Sequence, residues 1–234
     1  MSSYSACYSI FTAFFLWVKK MMVEKILNQL KGTNEAEIIL QMENAYNKIA
    51  SEQNKWYEKS SFTCTSGCGE CCRNFEPDLL ECEVLYMAAW LMENQPEIVN
   101  KIAEGNFPFE KNKGCPFWNE HNSYHCTIYG GRSCICRLFG GCGIRSKNGK
   151  VMFKPCKFYP TEKLSQFKTP LAHKNYMQEE ILNIFGTIPP VMSDLMEEVE
   201  NLNPQVKRTK LIRDSLPETV RRLKWIISMN DQAQ

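Results

Sequence analysis

Four thiols within nine residues constrain this chain more than anything else in it. They fall in Cys64-Thr65-Ser66-Gly67-Cys68-Gly69-Glu70-Cys71-Cys72, spaced C-x3-C-x2-C-C with two glycines between them. Sulfur does not cluster this way for packing alone. The pattern suits ligands of a soft metal or an iron–sulfur cluster, and the glycines let the backbone fold closely around one. Adjacent Cys71 and Cys72 strain a single tetrahedral site, which favours a cluster or two neighbouring sites.

Composition narrows the setting of that chemistry. Twelve cysteines in 234 residues lie below the density of small disulfide scaffolds. A net charge of +2 gives no push toward nucleic acid. The basic runs Lys207-Arg208-Thr209-Lys210 and Arg221-Arg222-Leu223-Lys224 read as solvated helix faces. Residues 1–20 form an apolar segment whose lysines, Lys19-Lys20, follow the apolar run; a signal peptide places its charges before it. The uncharged stretch 1–18 contains five Ser and Thr and is short for a membrane span. Weak membrane association through it stays open, as does a start at Met21-Met22. The expected location is the cytoplasm, where clustered cysteines bind metal or do redox chemistry more often than they form disulfides.

The remainder, residues 21–234, is expected to be a single domain. Val23 to Leu30 is a short helix. Asn34 and Glu37 suggest a capping box, and Ile39, Met42, Tyr46, Ile49, Gln53 and Trp56 recur at steps of three and four, predicting one long helix to about Lys59. Pro77-Asp78 with Glu81 reads as a helix entry, and the helix that follows is apolar on more than one side. Cys82 on it is a small hydrophobe. Further helices are predicted at Glu97–Glu104, Ala172–Phe185 and Ser193–Leu202, with two more opened by Pro204 and Pro217.

Between Asn106 and Pro160 the helical period vanishes and glycine, proline and cysteine dominate. A structureless stretch that long costs roughly 1–2 kcal/mol per residue in backbone entropy. Structural zinc, with apparent folding free energies of about 10–16 kcal/mol, is the kind of compensation it needs. Asn148-Gly149 signals a two-residue hairpin turn. Pairing outward sets Lys147 opposite Lys150 and Cys142 opposite Pro155, so that Cys142 and Cys156 meet at the open end. Cys115, Cys126, Cys134, Cys136, Cys142 and Cys156 join the first four as plausible ligands; two tetrahedral zinc sites or two four-iron clusters require eight. His121 and His125 read as loop residues, and no glutamate between them supports a metalloprotease motif. The C-x3-C-x2-C part of the nest also fits radical enzymes that bind S-adenosylmethionine, but the alternating strands and helices of their barrel are missing.

Cys64-x3-Cys68-x2-Cys71-Cys72, then Cys115-Pro116, then Cys126-Thr-Ile128-Tyr129-x2-Arg132-x3-Cys136-Arg137-Leu-Phe139 resembles the YkgJ-type cysteine-cluster family, also described as a zinc- or iron-chelating CxxCxxCC domain. The likeness covers residues 60–160. It implies that Cys64, Cys68, Cys71, Cys72, Cys115, Cys126 and Cys136 are the family cysteines, with Arg132 and Arg137 the arginines beside them. Ser133 stands where the family usually has proline, and Cys134 falls at a commonly apolar position. Cys134 is thus a packing residue or a substitute thiol. Four thiolates around a divalent zinc leave a charge of about −2, which a guanidinium would partly neutralise. Tyr129 and Phe139 read as a hydrophobic cover that limits water access.

The expected architecture is mainly α: a single helical domain around a metal-stapled, loop-rich cysteine-cluster centre with a small β-hairpin. The expected function is metal binding, through zinc or a 4Fe-4S cluster. The alternative is an iron–sulfur-dependent enzyme for redox chemistry or protein-lysine methyl transfer, since a flagellin lysine methylase carries a similar cysteine domain.

Overall fold

The computed structural model describes residues 22–64, 67–109, 114–202 and 208–232. The expectations for residues 1–20 and for a helix opening at Pro204 lie outside them. The chain is mainly helical. Helix α1 (Glu24–Gln29) leads into α2 (Asn34–Ser60), the spine of the fold. The cap of α2 is Thr33, one residue earlier than expected, whose side chain accepts the Ala36 N–H at 3.2 Å. The expected stripe is buried: Ile39, Met42, Tyr46, Ile49, Gln53 and Trp56 all face inward. A one-turn helix α3 (Glu70–Arg73) and a short strand β1 (Asp78–Leu79) precede α4 (Glu81–Asn94), which is buried almost all round from Cys82 to Leu91. Helix α5 is Pro96–Ala103, with the proline at its first position.

The middle segment is less irregular than its composition suggests. It holds a 3-10 turn (Tyr129–Gly131), a short helix α6 (Cys134–Leu138) and the strands β2 (Ile144–Arg145) and β3 (Val151–Phe153). Ile144 pairs with Met152 and Arg145 with Val151. That register differs by one from the expected one. Ser146 N–H donates to Lys150 O at 2.9 Å and Gly149 N–H to Ser146 O at 2.9 Å, closing a three-residue loop with Gly149 at φ +79°. Asn148 Oδ1 accepts the Lys150 N–H at 3.2 Å, so the Asn-Gly pair serves the longer loop and its left-handed glycine.

Beyond α7 (Thr161–Leu164) the expected helix from Ala172 starts only at α8 (Gln178–Phe185). Tyr176–Met177 instead forms β4 against β3. Tyr176 is buried, its hydroxyl accepts the Ala172 N–H at 2.8 Å, and Glu180 accepts the Met177 N–H at 2.9 Å to open the helix. Helix α9 is Met192–Glu200. Strand β5 (Lys210–Leu211) pairs with β1, and α10 (Ile212–Gln232) closes the fold. Pro217 does not open α10; it lies inside it. Glu76 accepts the Arg213 N–H at 2.9 Å and buried Ile212 anchors the first turn, so the start is set upstream. A proline this early removes a single helical hydrogen bond, the one to the Arg213 carbonyl.

Two cores result. The larger packs α4 against α2, α5 and α10. The smaller is aromatic, with Trp56, Phe62, Phe153, Tyr176 and Phe185 between the end of α2, the sheet and α8. Burying each such ring contributes about 2 kcal/mol, and their edge-on contacts at 5.0–5.7 Å add to it. The cysteines lie where the loop-rich centre meets α2 and α4. Among the described residues no helix is long and apolar enough to cross a membrane.

Candidate metal centre

The nest closes through its glycines. Gly69 has φ +59°, and a Cβ built there would stand 2.3 Å from His125 Cβ. Only hydrogen fits at that contact. The turn is then tied to the segment that carries the next two cysteines: Trp118 Nε1 donates to Gly69 O at 3.1 Å, Cys115 N–H donates to Cys72 O at 3.2 Å, and His125 Nδ1 meets Gly67 O. Trp118 and Cys126 form an antiparallel bridge that sets Cys126 beside Cys115. Helix α6 supplies Cys136. Gly140 lies against the last thiol; a Cβ there would be 3.5 Å from Cys156 Cβ and 3.7 Å from Cys64 Sγ.

Eight cysteines line one cavity of about 320 Å³: Cys64, Cys68, Cys71, Cys72, Cys115, Cys126, Cys136 and Cys156. The other candidates lie elsewhere. Cys142 does not line it, because the one-residue register difference brings Gly140 and not Cys142 to Cys156. A single-residue slip sends every side chain of a strand to its other face. Cys142 packs against the larger core. Cys134 is fully buried in that core, and Cys82 directs its thiol at Val199 O, 3.6 Å away. His121 is exposed, and His125 stacks on Trp118 with 5.9 Å between ring centroids; neither lines the cavity. Among the described residues no three His, Cys, Asp or Glu side chains converge closely enough to hold a single ion between them. The thiols surround a space; they do not meet at a point. Cys71 and Cys72 have their Sγ atoms 3.7 Å apart.

Electrostatics follow from burial and one cation. Burial pushes the Cys126 thiol up to about 11, and raises Cys115, Cys136 and Cys156 as well. Cys71 goes the other way, down to about 7, because it accepts a hydrogen bond from the Cys72 thiol; the donor, Cys72, is correspondingly raised. The Arg132 guanidinium favours the thiolate forms of Cys64, Cys71, Cys126 and Cys136. It lies 3.7 Å over the Tyr129 ring, and its buried Nε has no hydrogen-bond partner among the described residues.

Arg137 plays a different part. Its Nε donates to Arg132 O at 2.9 Å and its Nη2 donates to Gly130 O, bracing the loop that carries Arg132. Its guanidinium sits 3.9 Å over Tyr46, where it favours the charged forms of buried Glu43 and Glu83. Tyr129 and Phe139 do line the cavity, but at 42% and 38% exposure they form its rim and do not seal it. Tyr124 and Phe158 complete that exposed rim. Neither was legible beforehand: both lie in loops without periodicity, and only their closeness in sequence to Cys126 and Cys156 hinted at a role.

The match to known families coincides with this geometry. Residues 63–157 match the CxxCxxCC family, described as a "Putative zinc- or iron-chelating domain". All eight cavity cysteines fall within the matched stretch, and the YkgJ-type likeness is consistent with that match. The domain description supports metal binding, by zinc or iron, and lends nothing to the enzymatic alternative. No curated protein and no solved structure matches the chain.

Proposed function

We propose that the eight cavity thiols together hold a polynuclear iron–sulfur centre, and that the chain's task is to carry it in a reducing, cytoplasmic setting. The observation that carries this reading is the cavity itself. At about 320 Å³ it has room for on the order of ten waters, each occupying about 30 Å³. A single zinc ion draws its sulfurs to about 2.3 Å and leaves no such space between them. Bridging sulfides between irons fill the distance that separated thiols leave open, and eight thiolates meet the demand of two four-thiolate units. The residues fit an anionic centre in a second respect: Arg132 brings a cation and an unsatisfied buried N–H beside the thiols. Cys142 and Cys134 are assigned to packing. Bound there, such a centre supplies one-electron redox chemistry.

A pair of zinc ions is the second reading, and one distance favours it. Thiolates 2.3 Å from a tetrahedral zinc stand about 3.8 Å from each other, close to the 3.7 Å between Cys71 and Cys72. Their adjacency in sequence is therefore no bar to a shared metal. Anaerobic purification followed by metal and sulfide analysis distinguishes the two. Iron with acid-labile sulfide and a visible absorption supports the cluster, and colourless protein with two zinc ions per chain supports the pair.

A further inference from the structure

Ser133 precedes α6 and is its N-cap residue, with extended backbone at φ −69° and ψ 170°. A serine at this position ordinarily turns its hydroxyl onto a backbone N–H of the first turn. This one makes no such bond. Its hydroxyl donates instead to Cys136 Sγ, 3.3 Å away. The residue is fully buried, so water is not a competing partner. The start of α6 is capped from another element: Glu83 Oε1 accepts the Cys134 N–H at 2.8 Å while Oε2 accepts the Leu80 N–H at 2.9 Å. One carboxylate on α4 thus closes two helix starts and leaves the serine hydroxyl to the sulfur.

We propose that Ser133 is a positioning residue of the metal centre, whose hydroxyl holds the Cys136 sulfur through an O–H···S hydrogen bond that is kept when Cys136 ligates metal. The inference rests on the reading above, in which Cys136 is a ligand. Two effects follow. The bond holds the Cys136 side chain in one orientation toward the cavity, so less freedom is lost when metal binds. It also draws electron density from the thiolate toward the hydroxyl proton. Hydrogen bonds to ligand sulfurs are one of the levers on a cluster's potential, and partners of this kind are typically worth about 10–100-fold in metal affinity. Stabilising the more electron-rich reduced state raises the potential.

The test uses the full chain and its S133A, S133G and S133T variants, each reconstituted anaerobically with iron and sulfide. Glycine is well tolerated at an N-cap, so S133G provides a second hydroxyl-free variant should S133A fail to fold. S133A and S133G are expected to lower the reduction potential and to release metal to a chelator about tenfold faster, while S133T, which keeps the hydroxyl, stays close to wild type. If zinc loads in place of iron, chelator release carries the same expectation. Potential and release unchanged in S133A and S133G, or S133T behaving as S133A, overturns the role of Ser133. A metal-loaded wild type with an indifferent S133A overturns this inference alone; a wild type that takes up no metal overturns the preceding reading with it.

Discussion

Gly69 shows at the scale of one residue how the nest depends on its glycines. A side chain there meets His125 at 2.3 Å and must adopt a positive φ, so Gly69→Ala is expected to cost on the order of 1–3 kcal/mol. Chemical denaturation of the metal-free chain measures this, and an unchanged midpoint contradicts it. The thiols divide by the same logic. Cys71→Ala removes a cavity thiol and should abolish metal uptake, whereas Cys82→Ala and Cys142→Ala, outside the cavity, should retain full metal content. Cys82 also makes a pH prediction. Burial raises its thiol from 9.0 to about 12, so the folded state favours the protonated form. Its contribution is complete below pH 9 and is lost as pH rises through 12, by up to about 4 kcal/mol. The stability gap between wild type and Cys82→Ala should therefore narrow or reverse between pH 9 and 12; a gap independent of pH would contradict the assignment.

At the scale of elements, an ion pair helps to fasten α10 to the centre. Glu76 follows the nest and accepts both the Arg213 backbone N–H and its guanidinium, which also donates to Gly114 O beside Cys115 at 3.0 Å. Glu76 is 9% and Arg213 28% exposed in their side chains. Glu76→Ala removes both of these bonds to Arg213 and should destabilise the fold by about 1–3 kcal/mol, read by denaturant unfolding; a change below about 0.5 kcal/mol would show that the pair is incidental. Elements also mark where the sequence was legible. The stripe of α2 was, because its burial repeats at helical spacing over 27 residues. The hairpin register was not. Asn-Gly suits both a two-residue turn and a three-residue loop, and the choice depends on Ser146 and Asn148 hydrogen bonds that no hydropathy pattern encodes. That one-residue difference is what leaves Cys142 outside the cavity lining. Pro217 misled for a related reason: the start of α10 is set by Glu76, 137 residues away.

For the whole molecule, the helical framework and the cysteines of the nest were legible because periodicity and dense cysteine spacing are local signals. The exposure of the aromatic rim and the part of Tyr124 and Phe158 in it were not, since each depends on how distant segments close around the cavity. That dependence makes metal a structural matter. Stripping it with a chelator should loosen the segment from 114 to 160 more than α2 or α4, seen as faster amide exchange confined to that segment. The most direct measurement is the metal and sulfide content of the anaerobically purified full chain, with its visible spectrum, beside Cys71→Ala. The polynuclear centre predicts more than one iron per chain with acid-labile sulfide and visible absorption, all lost in the variant. Colourless protein holding zinc or no metal, or a variant that keeps its metal, would contradict it.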